Sequence, residues 1–144
     1  MGTKRLHPRL CCSFLHNQHR LCYRESCGGE EAEGRKILEL GCGWGAMLKK
    51  IHKQTSHADT LYGYTLSQAQ KNFIDEQYGF NVELKDFITL DYEANAFDTI
   101  FSIGSIEHVR ENELLPLCQN LSKALKPRLS KPTDSNRSIQ SASS

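Results

Sequence analysis

The sequence predicts an α/β fold, an incomplete parallel sheet of about four strands flanked by helices, and two observations point to it. First, the apolar run Ile37–Leu40 stops at Gly41, Gly43 and Gly45, as a buried strand does before it turns into a helix. Second, from Arg35 onward short apolar runs alternate with segments of helical period, which is typical of βαβ units. Glycines let a ligand approach the backbone, and the helix start that follows offers unpaired N–H groups. The turn is therefore the predicted cofactor site.

The length of 144 residues suffices for one domain, which we predict over 35–127. Residues 1–34 are predicted as a basic, Cys/His-containing leader and linker that is poorly ordered, and 128–144 as a disordered tail. Between Glu25 and Leu125 the chain carries nine basic and 16 acidic residues, a net charge of −7. This balance disfavours a nucleic-acid partner, because nucleic-acid binding needs a basic face.

The sequence contains no stretch of the roughly 18 apolar residues that a membrane-spanning helix needs. We therefore expect no integral membrane segment, and a cytoplasmic protein whose six cysteines are reduced thiols. The leader has no acidic residue before Glu25, which leaves a mitochondrial transit peptide as the alternative. Its low serine content and weak amphipathicity disfavour that alternative.

Cysteine and histidine cluster in the leader and raise the question of a metal site. Thiolates and imidazoles at short spacing are ligands that zinc prefers. Because no C-x-x-C pair is present, a poorly ordered leader without a metal is the favoured interpretation. The candidate ligands are Cys12, His16, His19, Cys22 and Cys27.

The first predicted helix follows the glycine turn and carries an apolar stripe on one side. Within the turn, Cys42 and Trp44 are interpreted as packing residues, because no positioned base accompanies the thiol. The stripe consists of Ala46, Met47, Leu48 and Ile51.

The second and third predicted strands are Leu61–Thr65 and Asn81–Asp86, on either side of a second helix. Ser67 begins that helix in a capping box, since Gln70 lies three residues on and can return a hydrogen bond to the cap. Gly79 is placed to end the helix in the left-handed conformation.

The fourth predicted strand is Phe97–Ile103, which is apolar and β-branched enough to be buried. Glu111–Leu125 follows as a helix, with Pro116 near its first turns, where proline costs least. Beyond Pro127 no fifth strand is visible. The fourth strand is therefore expected at an exposed apolar edge, which favours self-association or pairing with another chain.

Two nucleotide cofactors compete for the glycine turn. Gly41, Gly43 and Ala46 satisfy the loose pattern G-x-G-x-x-G/A, but an NAD site requires an acid at the tip of the second strand, where Thr65 stands. Glu39 points to another ligand, because its carboxylate could face a cationic amine. S-adenosylmethionine carries such an amine on its methionine half, and a pyrophosphate does not. A glutamate that simply meets solvent at the strand end is the alternative for this position.

Four segments resemble, in order and at family-like spacing, the motifs of class I S-adenosylmethionine-dependent methyltransferases, whose fold is Rossmann-like. They are ILELGCGWG, YGYTLSQAQ, the pair Asp86 and Phe87, and FDTIFSIGSIEHV. More narrowly, the chain resembles the cyclopropane-fatty-acyl-phospholipid synthase and mycolic acid cyclopropane synthase family, with coclaurine-type N-methyltransferases as relatives. A segment T-[LI]-S-x-x-Q in place of the second-strand acid is a particular mark of this family. The resemblance spans about Lys36 to Pro127.

The resemblance implies roles for individual residues in binding S-adenosyl-L-methionine. It places Glu39, Gly41, Gly43 and Gly45 around the methionine moiety, Thr65, Leu66 and Gln70 at the ribose, Asp86 and Phe87 at the adenine, and Ser102, Ile103 and Gly104 beside the sulfonium. It also places Glu107 near the transferred methyl group as the catalytic residue. In lipid-cyclopropanating members the matching glutamate helps to hold a bicarbonate that serves as base. His108 follows in the motif and is either functional or structural.

The resemblance implies methyl or methylene transfer to a lipid or small-molecule acceptor, an activity of lipid metabolism. The donor is already activated, so alignment and exclusion of water account for much of the catalysis, and an alkene acceptor also needs a base. Family members continue beyond the segment Leu125–Pro127 into further strands that this chain does not match. We therefore expect a truncated methyltransferase domain. The alternative is a non-catalytic fragment that binds the cofactor weakly or acts through protein contacts.

Overall fold

The structure of the chain is a computed structural model that describes residues 10–12 and 34–127, with side chains for the second range. Most of the leader and the tail at 128–144 lie outside the described residues. So do four of the five candidate zinc ligands, His16, His19, Cys22 and Cys27. The predictions made for those segments stay predictions.

The described residues form one parallel five-stranded sheet, which confirms the predicted α/β class. The spatial order of the strands is β1-β5-β2-β3-β4, and every neighbouring pair is parallel. Parallel neighbours need crossover connections, and two helices on one face of the sheet supply those from β2 to β3 and from β3 to β4, while the helix after β5 covers the other face. The strands are β1 Leu10–Cys12, β2 Ile37–Leu40, β3 Leu61–Thr65, β4 Asn81–Leu84 and β5 Thr99–Ser102.

Three α-helices lie between and after these strands in the described part of the chain, and single 3-10 turns span Ala58–Thr60 and Ile106–His108. None of these helices has the length and apolar content of a membrane span. Pro116 falls in the second turn of the last helix, near the helix start as expected, and its missing N–H removes one backbone hydrogen bond. The helices are α1 Ala46–Thr55, α2 Gln68–Gln77 and α3 Glu111–Ala124.

Helix α2 begins and ends where the sequence predicted. The Ser67 hydroxyl accepts a hydrogen bond from the Gln70 N–H at 3.4 Å, and Gly79 follows the helix at φ +67°. The reciprocal half of the capping box is different from the prediction. The Gln70 side chain accepts a hydrogen bond from the Thr65 hydroxyl at 2.6 Å, and Thr65 Oγ1 in turn accepts one from the Ser67 N–H at 3.2 Å. Thr65 therefore links the end of β3 to the start of α2.

The expectation of an exposed edge at the fourth predicted strand is wrong for this structure. That strand is β5, and β1 pairs with it in parallel, with Leu10 opposite Ile100 and Cys12 opposite Ser102. The pairing uses backbone N–H and C=O groups, which any residue supplies, and a three-residue strand is too short to show an alternating pattern. For this reason β1 was not visible in the sequence.

The sheet separates two apolar clusters, one on each face. Successive residues of a strand point to opposite faces, so Leu38 and Leu40 join the cluster under α3, and Ile37 joins the cluster under α1 and α2. Glu39 follows the same alternation as Ile37 and lies on the α1 and α2 side. The central position of β2 therefore buries a carboxylate within the sheet.

Candidate cofactor site

The carboxyl ends of β2, β3 and β5 meet at one edge of the sheet, because the three strands are parallel neighbours. The turns that follow them are 41–45, 66–67 and 103–105. In open α/β sheets, ligands bind outside the carboxyl ends of the strands. The residues singled out from the sequence thus come from separate parts of the chain to one edge.

The glycine turn after β2 has a backbone that side chains disfavour. Gly41 and Gly43 have φ values of +67° and +55°, in the left-handed region where residues with a Cβ are strained. A Cβ on Gly41 would also lie 2.5 Å from the Cβ of Ser105, whereas a Cβ on Gly43 would meet nothing within 4 Å. Gly41 is thus required for close packing, and Gly43 leaves the backbone open to a ligand.

Glu39 is buried at the penultimate position of β2. Only 4% of the residue is exposed, and its Oε2 atom has no hydrogen-bond partner among the described residues. In the sheet it lies opposite Gly63 of β3 and Phe101 of β5. Burial raises the pKa of its carboxyl group from 4.5 to about 8. The alternative that this glutamate meets solvent at the strand end does not hold.

Cys42 is a packing residue, as the sequence indicated. Its thiol is buried, and a Cβ on Gly63 would lie 2.8 Å from its Sγ atom. Burial, together with the charge of Glu39, raises the pKa of Cys42 to about 12. A thiol with so high a pKa is protonated at neutral pH and is not a nucleophile. Trp44, by contrast, is 55% exposed and its ring lies edge-on to that of Phe73 at 5.4 Å.

The turn after β3 presents an apolar side chain to solvent. Leu66 is 76% exposed, while Thr65 before it is buried. The hydroxyl of Thr65 is held by Gln70 and Ser67, as described above. No acid stands at this strand end, so the ribose-binding carboxylate of a dinucleotide site is missing here.

Asp86 and Phe87 follow β4 and are half-buried. Asp86 Oδ1 accepts a hydrogen bond from the Ile88 N–H at 2.9 Å, and the Phe87 carbonyl accepts one from the Tyr92 hydroxyl at 2.8 Å. The Phe87 ring approaches the glycine turn, with its Cε1 atom 3.8 Å from the position of a Cβ on Gly41. The structure thus brings the first and third motifs together.

The turn after β5 has a buried part and an exposed part. The Ser102 hydroxyl lies 3.3 Å from the Leu40 carbonyl oxygen and 2.5 Å from the Ser105 hydroxyl, so it is used inside the protein. Ile103 is 46% exposed, and Gly104 has φ +75°. Of the side chains offered to an incoming ligand, Ile103 and not Ser102 is the accessible one.

Glu107 and His108 lie in the 3-10 turn that follows, and both are exposed. The Glu107 Oε1 atom lies 3.7 Å from the position of a Cβ on Gly104, which places its carboxylate over that glycine. The neighbouring Ile106 is buried and anchors the turn. Glu107 is therefore presented at the surface beside the β5 turn.

Sequence reasoning missed Ser105, although its hydroxyl donates a hydrogen bond to the Leu40 carbonyl at 2.6 Å. The two residues are 65 positions apart, so no local spacing signals the contact. Within residues 34–127, no three His, Cys, Asp or Glu side chains are grouped so that they could hold a metal ion.

Residues 37–128 match the protein-family model described as methyltransferase domain. A curated relative, pavine N-methyltransferase of Thalictrum flavum subsp. glaucum, is 35% identical over 88 residues, which are 57% of this chain and 24% of the relative. A probable fatty acid methyltransferase of Pseudomonas putida is 28% identical over 99 residues, which are 65% of this chain and 25% of the relative. The chain thus spans about a quarter of the length of each.

Among solved structures, an S-adenosylmethionine-dependent methyltransferase from Mesorhizobium loti resembles this chain with a TM-score of 0.57. The two are 24% identical, and the match covers 65% of this chain and 43% of the other. The likeness supports the Rossmann-like fold of the described residues.

Proposed function

This chain belongs to the methyltransferase-domain family, and on that premise we propose that it binds S-adenosylmethionine at the carboxyl edge of the sheet and methylates a small-molecule acceptor. The observation that carries the proposal is Glu39, a buried carboxylate beside the glycine turn with one oxygen that has no partner among the described residues. Ionising this carboxyl without a partner is costly, so a cation that meets the ionised group is strongly favoured. The ammonium group of the methionine half is such a cation, and a dinucleotide pyrophosphate is not.

The other residues at this edge fit the remaining parts of the same ligand. The open backbone at Gly43 allows close approach, and the exposed side chain of Leu66 offers apolar contact. The proposed methionine contacts are Glu39, Gly41, Gly43 and Gly45; the ribose contacts Thr65, Leu66 and Gln70; the adenine contacts Asp86 and Phe87; and the sulfonium contacts Ser102, Ile103 and Gly104. Because the hydroxyls of Thr65 and Ser102 are bonded within the protein, these two act through their backbone or by shaping the edge.

Bound S-adenosylmethionine would supply an activated methyl group on a sulfonium. The chain itself orients the donor through the rigid glycine turn, and Ile103 excludes water at the β5 turn. The Glu107 carboxylate is exposed at that turn and is the side chain we assign to the acceptor, where it accepts a proton as a general base: from a protonated amine before its nitrogen attacks the methyl group, or from an alkene acceptor after the new bond to carbon has formed. Little covalent chemistry is needed from the protein.

For the acceptor, the proposal extends to two chemical classes. The curated relatives are a pavine N-methyltransferase and a probable fatty acid methyltransferase, so an amine, which reacts through its unprotonated nitrogen, and a fatty acyl lipid are the classes to test. The resemblance of the sequence motifs to those of cyclopropane synthases, in whose lipid-cyclopropanating members the glutamate that matches Glu107 helps to hold a bicarbonate, favours the lipid. Labelled methyl transfer to each class, with wild type and Glu107→Gln, separates them. Glu93→Gln, another exposed acid in a loop, is the matched control.

The experiment that tests the proposed function is isothermal titration of the wild-type chain with S-adenosylhomocysteine and, separately, with NAD. The fit of Glu39 and the missing acid at Thr65 predict binding of the first ligand and none of the second. Binding of NAD alone, or of neither ligand, would contradict the proposal. Binding without methyl transfer to either acceptor class would leave the chain as a cofactor-binding domain without turnover.

A further inference from the structure

The Ser105 side chain joins the two turns that follow β2 and β5. Its hydroxyl donates to the Leu40 carbonyl oxygen at 2.6 Å, immediately before the glycine turn. A Cβ on Gly41 would lie 2.5 Å from Ser105 Cβ and 2.6 Å from Ser105 Oγ, so the backbone of Gly41 packs directly against this serine. The position of one turn is thus set by a side chain of the other.

Ser105 is at the centre of this contact, and Ser102 supports it. A serine hydroxyl has one proton to donate. The Ser105 hydroxyl lies closer to the Leu40 oxygen, at 2.6 Å against 3.3 Å for Ser102, and the two hydroxyls are 2.5 Å apart. In the arrangement that uses each proton once, Ser105 donates to Leu40 and Ser102 donates to Ser105.

The residues after Ser105 carry the proposed acceptor side chain. The carbonyl oxygen of Ser105 accepts a hydrogen bond from the His108 N–H at 3.3 Å, and the Val109 N–H donates to the Ile106 carbonyl at 3.1 Å. Glu107 lies inside this turn. A shift of Ser105 would therefore move both Gly41 and the turn that presents Glu107.

We infer that Ser105 is a positioning residue that holds the glycine turn and the Glu107 turn in one geometry. This rests on the proposed function, because the glycine turn is assigned to the cofactor and the Glu107 turn to the acceptor. Ser105 itself touches neither reacting group, since its hydroxyl is used on Leu40. Its contribution is to preorganise the two sides of the site.

Ser105→Ala tests the coupling, and its control is a variant that loses one comparable hydrogen bond in the 3-10 turn before β3. Thr60 is buried and its hydroxyl donates to the His57 carbonyl at 3.0 Å, at the amino end of β3 and away from the site. Thr60→Val therefore removes an equivalent hydrogen bond with little change of shape. Ser102→Ala leaves the hydrogen bond from Ser105 to Leu40 in place. We expect its effects on hydrogen exchange and on Kd to lie between those of Ser105→Ala and Thr60→Val.

Amide hydrogen exchange in the free protein measures the local stability of the glycine turn and of the Glu107 turn separately. In the glycine turn, the Cys42 N–H donates to the Tyr64 carbonyl of β3 and the Gly45 N–H to the Cys42 carbonyl. In the Glu107 turn, the N–H groups of His108 and Val109 donate to carbonyls of the same turn. In Ser105→Ala we expect exchange at both pairs to accelerate roughly tenfold over Thr60→Val, which corresponds to the loss of one buried hydrogen bond. Unchanged exchange at either turn, relative to Thr60→Val, would overturn the coupling.

Titration with S-adenosylhomocysteine tests whether the coupling of the two turns by Ser105 contributes to cofactor binding. We expect the Kd of Ser105→Ala to rise roughly tenfold and that of Thr60→Val to stay within about twofold of wild type. Equal Kd values for the two variants would overturn the positioning role. If wild type itself does not bind, the proposed function fails, and the exchange rates still decide whether Ser105 couples the turns.

Discussion

At the scale of single residues, Glu39 lowers the stability of the folded chain above acidic pH. Burial raises its pKa from 4.5 to about 8, so the folded state binds the proton more tightly than the unfolded state. The contribution of the protonated group is fully present below the unfolded pKa and is lost as the pH rises through about 8. A buried carboxyl that lowers the stability of the folded chain in this way is consistent with a role in ligand binding.

Glu39→Gln removes this pH dependence. Between about pH 5 and about pH 8, we expect the free energy of unfolding of wild type to fall by up to about 4 kcal/mol relative to the variant. Urea unfolding across this range measures the difference. Glu76→Gln changes an exposed acid on α2 and should keep the wild-type pH dependence. Parallel curves for wild type and Glu39→Gln would show that Glu39 does not titrate as described.

Gly41→Ala and Gly43→Ala separate close packing from backbone strain. Both glycines have positive φ, so each alanine costs about 1–2 kcal/mol of strain. Only the alanine at 41 would also meet Ser105, which adds about 1–3 kcal/mol for overpacking. Thermal unfolding should therefore give a lower Tm for Gly41→Ala than for Gly43→Ala. Equal losses would mean that the approach of Ser105 to Gly41 is looser than the structure has it.

At the scale of elements, local chemistry predicted much of the fold. β3 has the predicted bounds, and α2 begins after Ser67 and ends before Gly79, because caps and apolar runs act over a few residues. β4 and β5, at Asn81–Leu84 and Thr99–Ser102, are shorter than the predicted strands Asn81–Asp86 and Phe97–Ile103. Strand ends depend on the pairing partner, which the local sequence does not specify.

The pairing of β1 with β5 predicts an effect of shortening the chain. Removal of residues 1–12 deletes the strand Leu10–Cys12 and leaves the backbone of β5 unpaired at the sheet edge. An unpaired apolar edge favours intermolecular pairing. We expect concentration-dependent self-association in sedimentation velocity, which the chain lacking only residues 1–9 should not show. If both shortened chains stay monomeric, β1 does not protect this edge.

At the scale of the whole molecule, the parallel sheet assembles a site from segments far apart in sequence. The motifs singled out from the sequence lie at one edge of the sheet, because each of them ends or follows a strand and all parallel strands end at one edge. The sequence did not predict the contact of Ser105 with Leu40 and Gly41, or the burial of Glu39 without a partner for Oε2. Both depend on how β2 and β5 pack, which is not encoded in any local spacing.

The most direct test of the role of Glu39 compares two ligands on two proteins. S-adenosylhomocysteine carries the ammonium assigned to Glu39, and 5′-methylthioadenosine keeps the nucleoside and lacks the amino-acid part. In titrations of wild type and Glu39→Gln, we expect the variant to bind S-adenosylhomocysteine roughly 10- to 100-fold more weakly, as for a lost hydrogen bond to a charged group. Its affinity for 5′-methylthioadenosine should stay within about twofold of wild type. Equal losses for both ligands, or no loss for either, would contradict the assignment of Glu39 to the cofactor ammonium.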